Sequence, residues 1–335
     1  VFIGTTTTIS LFSNCLLLYI IATTAADHIG SYRYLLAFFA VCDIFTTIGH
    51  AAIQPWMYAF STGFFFFPRR SGIVLYGVSL DTPLCLAFIA TYYQTFLVLA
   101  YHFVYRYKIL TSGIGTSFTD HWSKACWILM AIVVNVLYIA GFVITVAIGM
   151  TPSNETRAFV PAEFRQLYRN DLTDLRTGFT VLAVRRPNKL TGDMQWSVES
   201  TISFLICMSL FTGTAGVIVF CIYQTNATIK STETVLTTTT RRMHRQLFRA
   251  LLLQTAVPCL FSYAPLSVVL ATGAVTGLDL GAFGNVLFLT TAIFPSIDAF
   301  FVLFFIVKFR IAVIRLFRLP CRLDAMGSSV EQRGT

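Results

Sequence analysis

Charge is what this 335-residue chain has least of: Asp, Glu, Lys and Arg make up 12% of it, about half the roughly 25% of an average soluble domain. With 56% hydrophobic residues, a soluble fold would have to bury several long helices under too little polar surface. The alternating segments of about ten residues that mark a membrane barrel are also missing; the apolar stretches are about twice that length and apolar all round. There is no P-loop, no dinucleotide-binding glycine fingerprint, no His pair at i, i+4 and no CxxC, and the five histidines are scattered. An enzyme is therefore not expected, nor a metal site or cofactor. The net charge of +9 would point to nucleic acid in a soluble domain. In a membrane protein it reflects the Lys and Arg of cytoplasmic loops, and no nucleic-acid partner is expected. Of eight cysteines, six lie inside apolar stretches and read as small buried hydrophobes. Cys85 sits at the outer end of a stretch, yet residues 149–200 hold no cysteine, so no disulfide can join it to that segment. The chain opens at Val1 without a Met, so targeting is not readable from its start.

What is present is a series of seven long stretches with at most one charged residue each: from Val1, Ile44, Thr82, Ala125, Ser200, Ala250 and Gly281 onward, the last holding only Asp298. A helix crosses the hydrocarbon in about 20 residues. The pattern predicts an all-α membrane protein, a seven-transmembrane helix bundle. Its spans fall at about 2–24, 35–59, 83–105, 127–148, 201–223, 248–271 and 285–307, and residues 1–308 form the transmembrane domain.

Orientation follows from the basic residues. Placing the N-terminus outside puts Arg33, then Arg106, Lys108 and Lys124, then Lys230, Arg241, Arg242, Arg245 and Arg249, and six more in the tail on the inner side, fifteen in all. The short outer segments then hold only Arg69 and Arg70; the outer loop 149–200 is long enough to be translocated with weaker regard to charge. The sequon at Asn154 falls in that loop, where it can be glycosylated, and the one at Asn226 falls inside, where it cannot. The loop is too long for a plain connector and is expected to fold as a cap, with a helix starting at Pro161–Glu163 and a strand near Phe179–Val184. In the 309–335 tail, Phe309, Ala312, Val313, Leu316 and Phe317 recur at helical spacing opposite arginines, so an amphipathic interfacial helix lying on membrane lipid follows the last span. Cys321 beyond it is a candidate for palmitoylation.

Carboxylates inside a membrane cost about 2.5–3.5 kcal/mol and default to function. Asp43 and Asp298 both lie roughly 12–14 Å from the inner ends of spans two and seven, where they can share a proton or hold a cation, or hydrogen-bond neighbouring helices. Pro258, Pro265 and Pro295 interrupt helix hydrogen bonding and offer hinges. Toward the outside, Phe88, Thr91, Tyr92 and Thr95 share one face of span three, His50 lies two turns outward of Asp43, and Tyr263 and Phe261 lie above the span-six kink. An aromatic cavity with few hydroxyls suits a small, weakly polar ligand; packing alone is the other reading. Intramembrane acids and proline-broken helices leave a transporter or ligand-gated channel using Asp43 and Asp298 as the alternative.

At the end of span three the chain reads Tyr101 His102 Phe103 Val104 Tyr105 Arg106 Tyr107. This resembles the HFxYRY signature of the nematode serpentine chemoreceptors of the Str class. Gly30–Leu35, the run Gln246–Leu251 through Gln254, Pro258 and Pro265, and Phe294–Asp298 agree with the same family in order and placement. Two positions depart: Ala299 stands where the family commonly has proline, and Lys308 where it commonly has an acidic residue. The resemblance implies a G-protein-coupled receptor for an odorant or pheromone, in the plasma membrane of a sensory cilium, with a heterotrimeric G protein as partner. It makes Arg106 with its flanks Tyr105 and Tyr107 the switch, and the kink and the buried acids read from the residues add Arg249, Pro258, Asp43 and Asp298 to it. Tyr92, Phe88, Thr95, His50 and Tyr263 become the candidate ligand contacts.

Overall fold

The computed structural model describes residues 2–23, 32–60, 62–70, 72–111, 123–158, 160–168, 170–187, 193–231, 238–265, 267–268 and 280–317. Four long helices come first: α1 (Phe2–Thr23), α2 (Tyr32–Ile53), α3 (Asp81–Thr111) and α4 (Lys124–Gly149). Two short ones, α5 (Asn154–Ala158) and α6 (Ala162–Tyr168), lie in the long connection before α7 (Val198–Ser231). Then come α8 (Thr238–Pro258), a π-turn at Cys259–Tyr263, α9 (Gly284–Thr291), α10 (Phe294–Phe305) and α11 (Val307–Leu316). Among the described residues six helical stretches are long and apolar enough to cross a membrane: α1, α2, α3, α4, α7, and α9 with α10 taken as one. The remaining crossing of the expected seven is α8 with its π-turn, whose first half carries the exposed Arg245 and Arg249.

The second expected span, 35–59, is too long at its end. Helix α2 stops at Ile53, because Gln54 turns left-handed at φ 46° and Pro55 has no N–H to continue the ladder. From Pro55 the chain enters a sheet: β1 (Pro55–Phe60) and β2 (Gly63–Pro68) pair antiparallel, and β5 (Thr180–Ala183) from the long connection adds to the free edge of β2. Side chains alternate across a strand, and both faces of this sheet are covered. Tyr58, Phe65, Phe67 and Val181 face Phe164 and Tyr168 of α6, while Met57 and Phe66 join the core of the helix bundle. The sheet and α6 thus cap one end of the bundle. Gly281 pairs with Ala59 on β1, and the Asn285 carboxamide accepts from Met57 N–H (2.9 Å) and donates to the Tyr168 hydroxyl (2.7 Å). Two small hairpins complete the cap end, β3 (Val74–Leu75) with β4 (Val78–Ser79) and β6 (Arg185–Pro187) with β7 (Met194–Trp196).

The seventh expected span is interrupted between α9 and α10, where Pro295 cannot donate. Helix α1 meets the break with a polar stripe: Ser10 Oγ (2.9 Å) and Asn14 Nδ2 (3.0 Å) both donate to the Pro295 carbonyl. After α10, Ile306 is extended (ψ 104°) and re-aims the chain into α11. Phe309 is buried and Ala312 and Val313 pack beside Leu17, Ile20 and Ile21. Leu316 and Phe317, expected on the same apolar face, are exposed. Cys321 lies outside the described residues.

Candidate functional site

Below the cap is a cavity of about 80 Å³, several times the roughly 10–15 Å³ one water needs. Helix α3 supplies Phe88, Tyr92 and Tyr93, α4 supplies Val146 and Met150, α7 supplies Phe204, Cys207, Met208 and Phe211, and the π-turn supplies Tyr263. The sheet contributes Phe64 and Phe66 from β2 and Leu182 from β5. Among the described residues no charged side chain lines it. The rings brace one another: Tyr92 and Tyr263 lie 5.4 Å apart, Phe96 and Tyr263 4.7 Å, and Tyr93 stacks on Phe142 at 4.1 Å. Of the expected contacts, Phe88, Tyr92 and Tyr263 line this space. Thr95 sits behind it, hydrogen-bonded to the Tyr92 carbonyl (2.7 Å) and the Tyr263 hydroxyl (3.3 Å). His50 instead lines a second cavity of about 10 Å³ with Thr46, Thr47, Thr291 and Pro295, and Tyr92 borders both. Phe261 points away and is exposed.

The π-turn places Tyr263. Its N–H ladder is shifted by one residue, Ala264 N–H reaching Cys259 O. Pro265 has no N–H to give the Phe261 carbonyl four residues back, and the Thr290 hydroxyl of α9 donates to it instead. Such turns inside α-helices recur at functional sites. Pro258 begins this one.

Asp43 and Asp298 are both fully buried, on α2 and α10, two helices that pack together. Both oxygens of Asp43 and one of Asp298 lack a hydrogen-bond partner, and neither residue lines the two cavities. Nearer the far end of α3 the buried Arg106 guanidinium lies 3.7 Å over the Tyr32 ring. Tyr32 stacks on Tyr105 (5.4 Å), and its hydroxyl meets His102 Nδ1 at 2.9 Å. Among the described residues no carboxylate pairs with Arg106, and its Nε and Nη2 have no hydrogen-bond partner. Tyr107 packs edge-on against Phe220 at 6.2 Å, and Arg249 is exposed on α8.

The family model for serpentine type 7TM GPCR chemoreceptors of the Str class matches residues 2–314. The chain belongs to this Str family. Similar members include the G-protein coupled receptor str-33 of Caenorhabditis elegans, 21% identical over 313 residues (92% of this chain, 87% of that one). Serpentine receptor class r-10 of Caenorhabditis briggsae is 24% identical over 312 residues (91% and 86%). The crystal structure of squid rhodopsin superposes with a TM-score of 0.57 at 10% identity, covering 95% of this chain and 83% of that one, a likeness of fold. This Str-family chain is therefore a multi-pass membrane protein with the seven-helix fold of a G-protein-coupled receptor, and its family is one of receptors rather than enzymes.

Within that Str fold the cap has its own fastener. The Asp81 carboxylate, at the start of α3, accepts from the N–H groups of Gly72 (2.7 Å), Ile73 (3.3 Å) and Gly178 (3.1 Å), tying both cap loops to the bundle. Gly178 is needed for this approach, since a Cβ there would meet Thr82 N at 2.7 Å. Cys85 is a buried free thiol, 3.9 Å from the Phe66 carbonyl. A single acid before an apolar run reads as a helix N-terminus, so nothing local marked Asp81. The α4 and α7 contributions were equally unmarked because those helices are apolar all round.

Proposed function

We propose that this receptor binds a small, weakly polar organic molecule, an odorant or pheromone, in the cavity beneath the cap, and signals to a heterotrimeric G protein from the opposite end. The uncharged aromatic cavity carries this reading: it offers dispersion contacts and a few phenol hydroxyls, and nothing to neutralise an ionic ligand. The cap end faces outside in the plasma membrane, sensory cilia being the place such a detector has its use. Tyr92 borders both cavities, so a ligand displacing it also perturbs the hydroxyl-lined space against α1, α2 and Pro295. The π-turn bearing Tyr263 is the second coupling element, because motion of that ring is carried along α8 toward Arg245 and Arg249. At the far end Arg106 is latched by Tyr32 in the resting arrangement and is released when α8 moves. Asp43 and Asp298 form the buried joint between α2 and α10.

The test is an odorant screen on the heterologously expressed chain with a calcium readout. A ligand-evoked response is expected, with Arg106→Ala abolishing it at unchanged surface expression; normal signalling by that variant removes Arg106 from the switch. Tracer flux in reconstituted vesicles that depends on Asp43 or Asp298 would favour a transporter or channel instead.

A further inference from the structure

The β3–β4 hairpin stands out from the cap. Ile73, Val74, Leu75, Tyr76 and Val78 are all exposed, Tyr76 at 97%, and there is no charge from Gly72 to Leu80. Both faces of the ribbon are apolar, so neither is a water face. It is nonetheless held firmly: Leu80 N–H donates to Ile73 O at 2.8 Å, and Asp81 accepts the Gly72 and Ile73 N–H groups. The turn places Tyr76 (φ 49°) and Gly77 (φ 81°) in the left-handed region, as a two-residue hairpin turn requires. That conformation is unfavourable for Tyr, and no intramolecular burial of the ring offsets it. In water an isolated apolar ribbon is marginally stable and prone to association.

Its position supplies the environment that suits it. The hairpin ends at Asp81, the first residue of a helix long and apolar enough to cross a membrane, and the next exposed residues of α3 are the uncharged Pro83 and Ala87. Just before it come Arg69 and Arg70, both exposed. We propose that the hairpin dips into the boundary between headgroups and acyl chains, with Tyr76 at headgroup depth and Arg70 against lipid phosphate. Tyr is enriched at that depth, and an apolar segment flanked by basic residues binds there. The hairpin thereby fixes the height and tilt of the N-terminal end of α3, which carries Phe88 and Tyr92 four turns or fewer below it.

The experiment is tryptophan fluorescence of Tyr76→Trp in the full chain, reconstituted in lipid nanodiscs and read as the difference from the unsubstituted protein. The expected signal is blue-shifted, quenched by lipids brominated near the top of the acyl chain, and little quenched by aqueous acrylamide. A red, acrylamide-quenched signal places the ring in water and overturns the proposal. A blue-shifted signal that brominated lipid leaves unquenched places it against protein, such as a second copy, and overturns it equally. Leu75→Trp provides an independent reporter on the same hairpin if Tyr76→Trp does not fold.

Discussion

Burying a guanidinium is costly, and among the described residues it is the Tyr32 ring, not a carboxylate, that offsets that cost for Arg106. A desolvated cation–π contact is worth about 2 kcal/mol, so Tyr32→Leu should weaken the resting arrangement by ~1–2 kcal/mol, or roughly 5–30-fold in its population. We expect elevated ligand-independent signalling at matched surface expression. Tyr32→Phe keeps the ring under the guanidinium and loses only the hydroxyl's contacts to His102 and Arg106, so its basal signal should rise less. Equal basal activity in the two variants and the parent would show that the ring is packing alone. Asp81 makes a different demand. Three backbone N–H groups converge on its carboxylate, and charged hydrogen bonds contribute about 1.5–3 kcal/mol each. Asp81→Ala should destabilise the cap by ~2–4 kcal/mol, with hydrogen exchange accelerating first at 72–80 and 178–183. Uniform exchange across the bundle, or none, would deny Asp81 its fastening role.

At the scale of elements, the cavity is built where a sheet meets a bundle, and that explains which half of it was legible. The crossing helices announce themselves because an uncharged run of membrane length rarely serves any purpose but spanning. The sheet does not, because strands β1 and β2 are buried on both faces and so lack the apolar–polar alternation of a half-exposed strand. A run of this kind looks like the end of span two until Gln54 and Pro55 are seen to stop the helix. Hence Phe88, Tyr92 and Tyr263 were readable from helical spacing, while Phe64 and Phe66 were hidden. His50 lies on α2 and lines the smaller, separate space, since depth alone does not resolve which neighbour a side chain faces. Because Phe66 is a wall of the cavity contributed by the cap, Phe66→Leu should shift the response series toward bulkier ligands. A pocket discriminates one methylene by roughly 1–3 kcal/mol, so the reordering should reach tenfold or more in half-maximal concentrations. An unchanged rank order would place the ligand elsewhere.

For the whole molecule the open quantity is direction, because a helix bundle can be threaded either way through a bilayer. The cap, with Asn154 exposed at the first residue of α5, marks one end, and Arg106, Arg249 and the last turns of α7, where Asn226 is exposed, mark the other. Fifteen basic residues assigned to one side against two in the short segments of the other argue that the Arg106 end is cytoplasmic. The two sequons convert that argument into a measurement, since only the one on the translocated side meets the glycosylation machinery. Thr156 of the Asn154 sequon is buried in a reciprocal cap with Ser153 (2.8 and 3.3 Å) in the folded chain. Modification at Asn154 must therefore precede closure of α5, and slowing folding should raise its occupancy. The expected result is a glycosidase-sensitive mass shift on gels that Asn154→Gln removes and Asn226→Gln leaves intact. A shift that depends on Asn226 would turn the molecule over, carrying the cap and its cavity to the cytoplasmic face and with them the case for an external ligand.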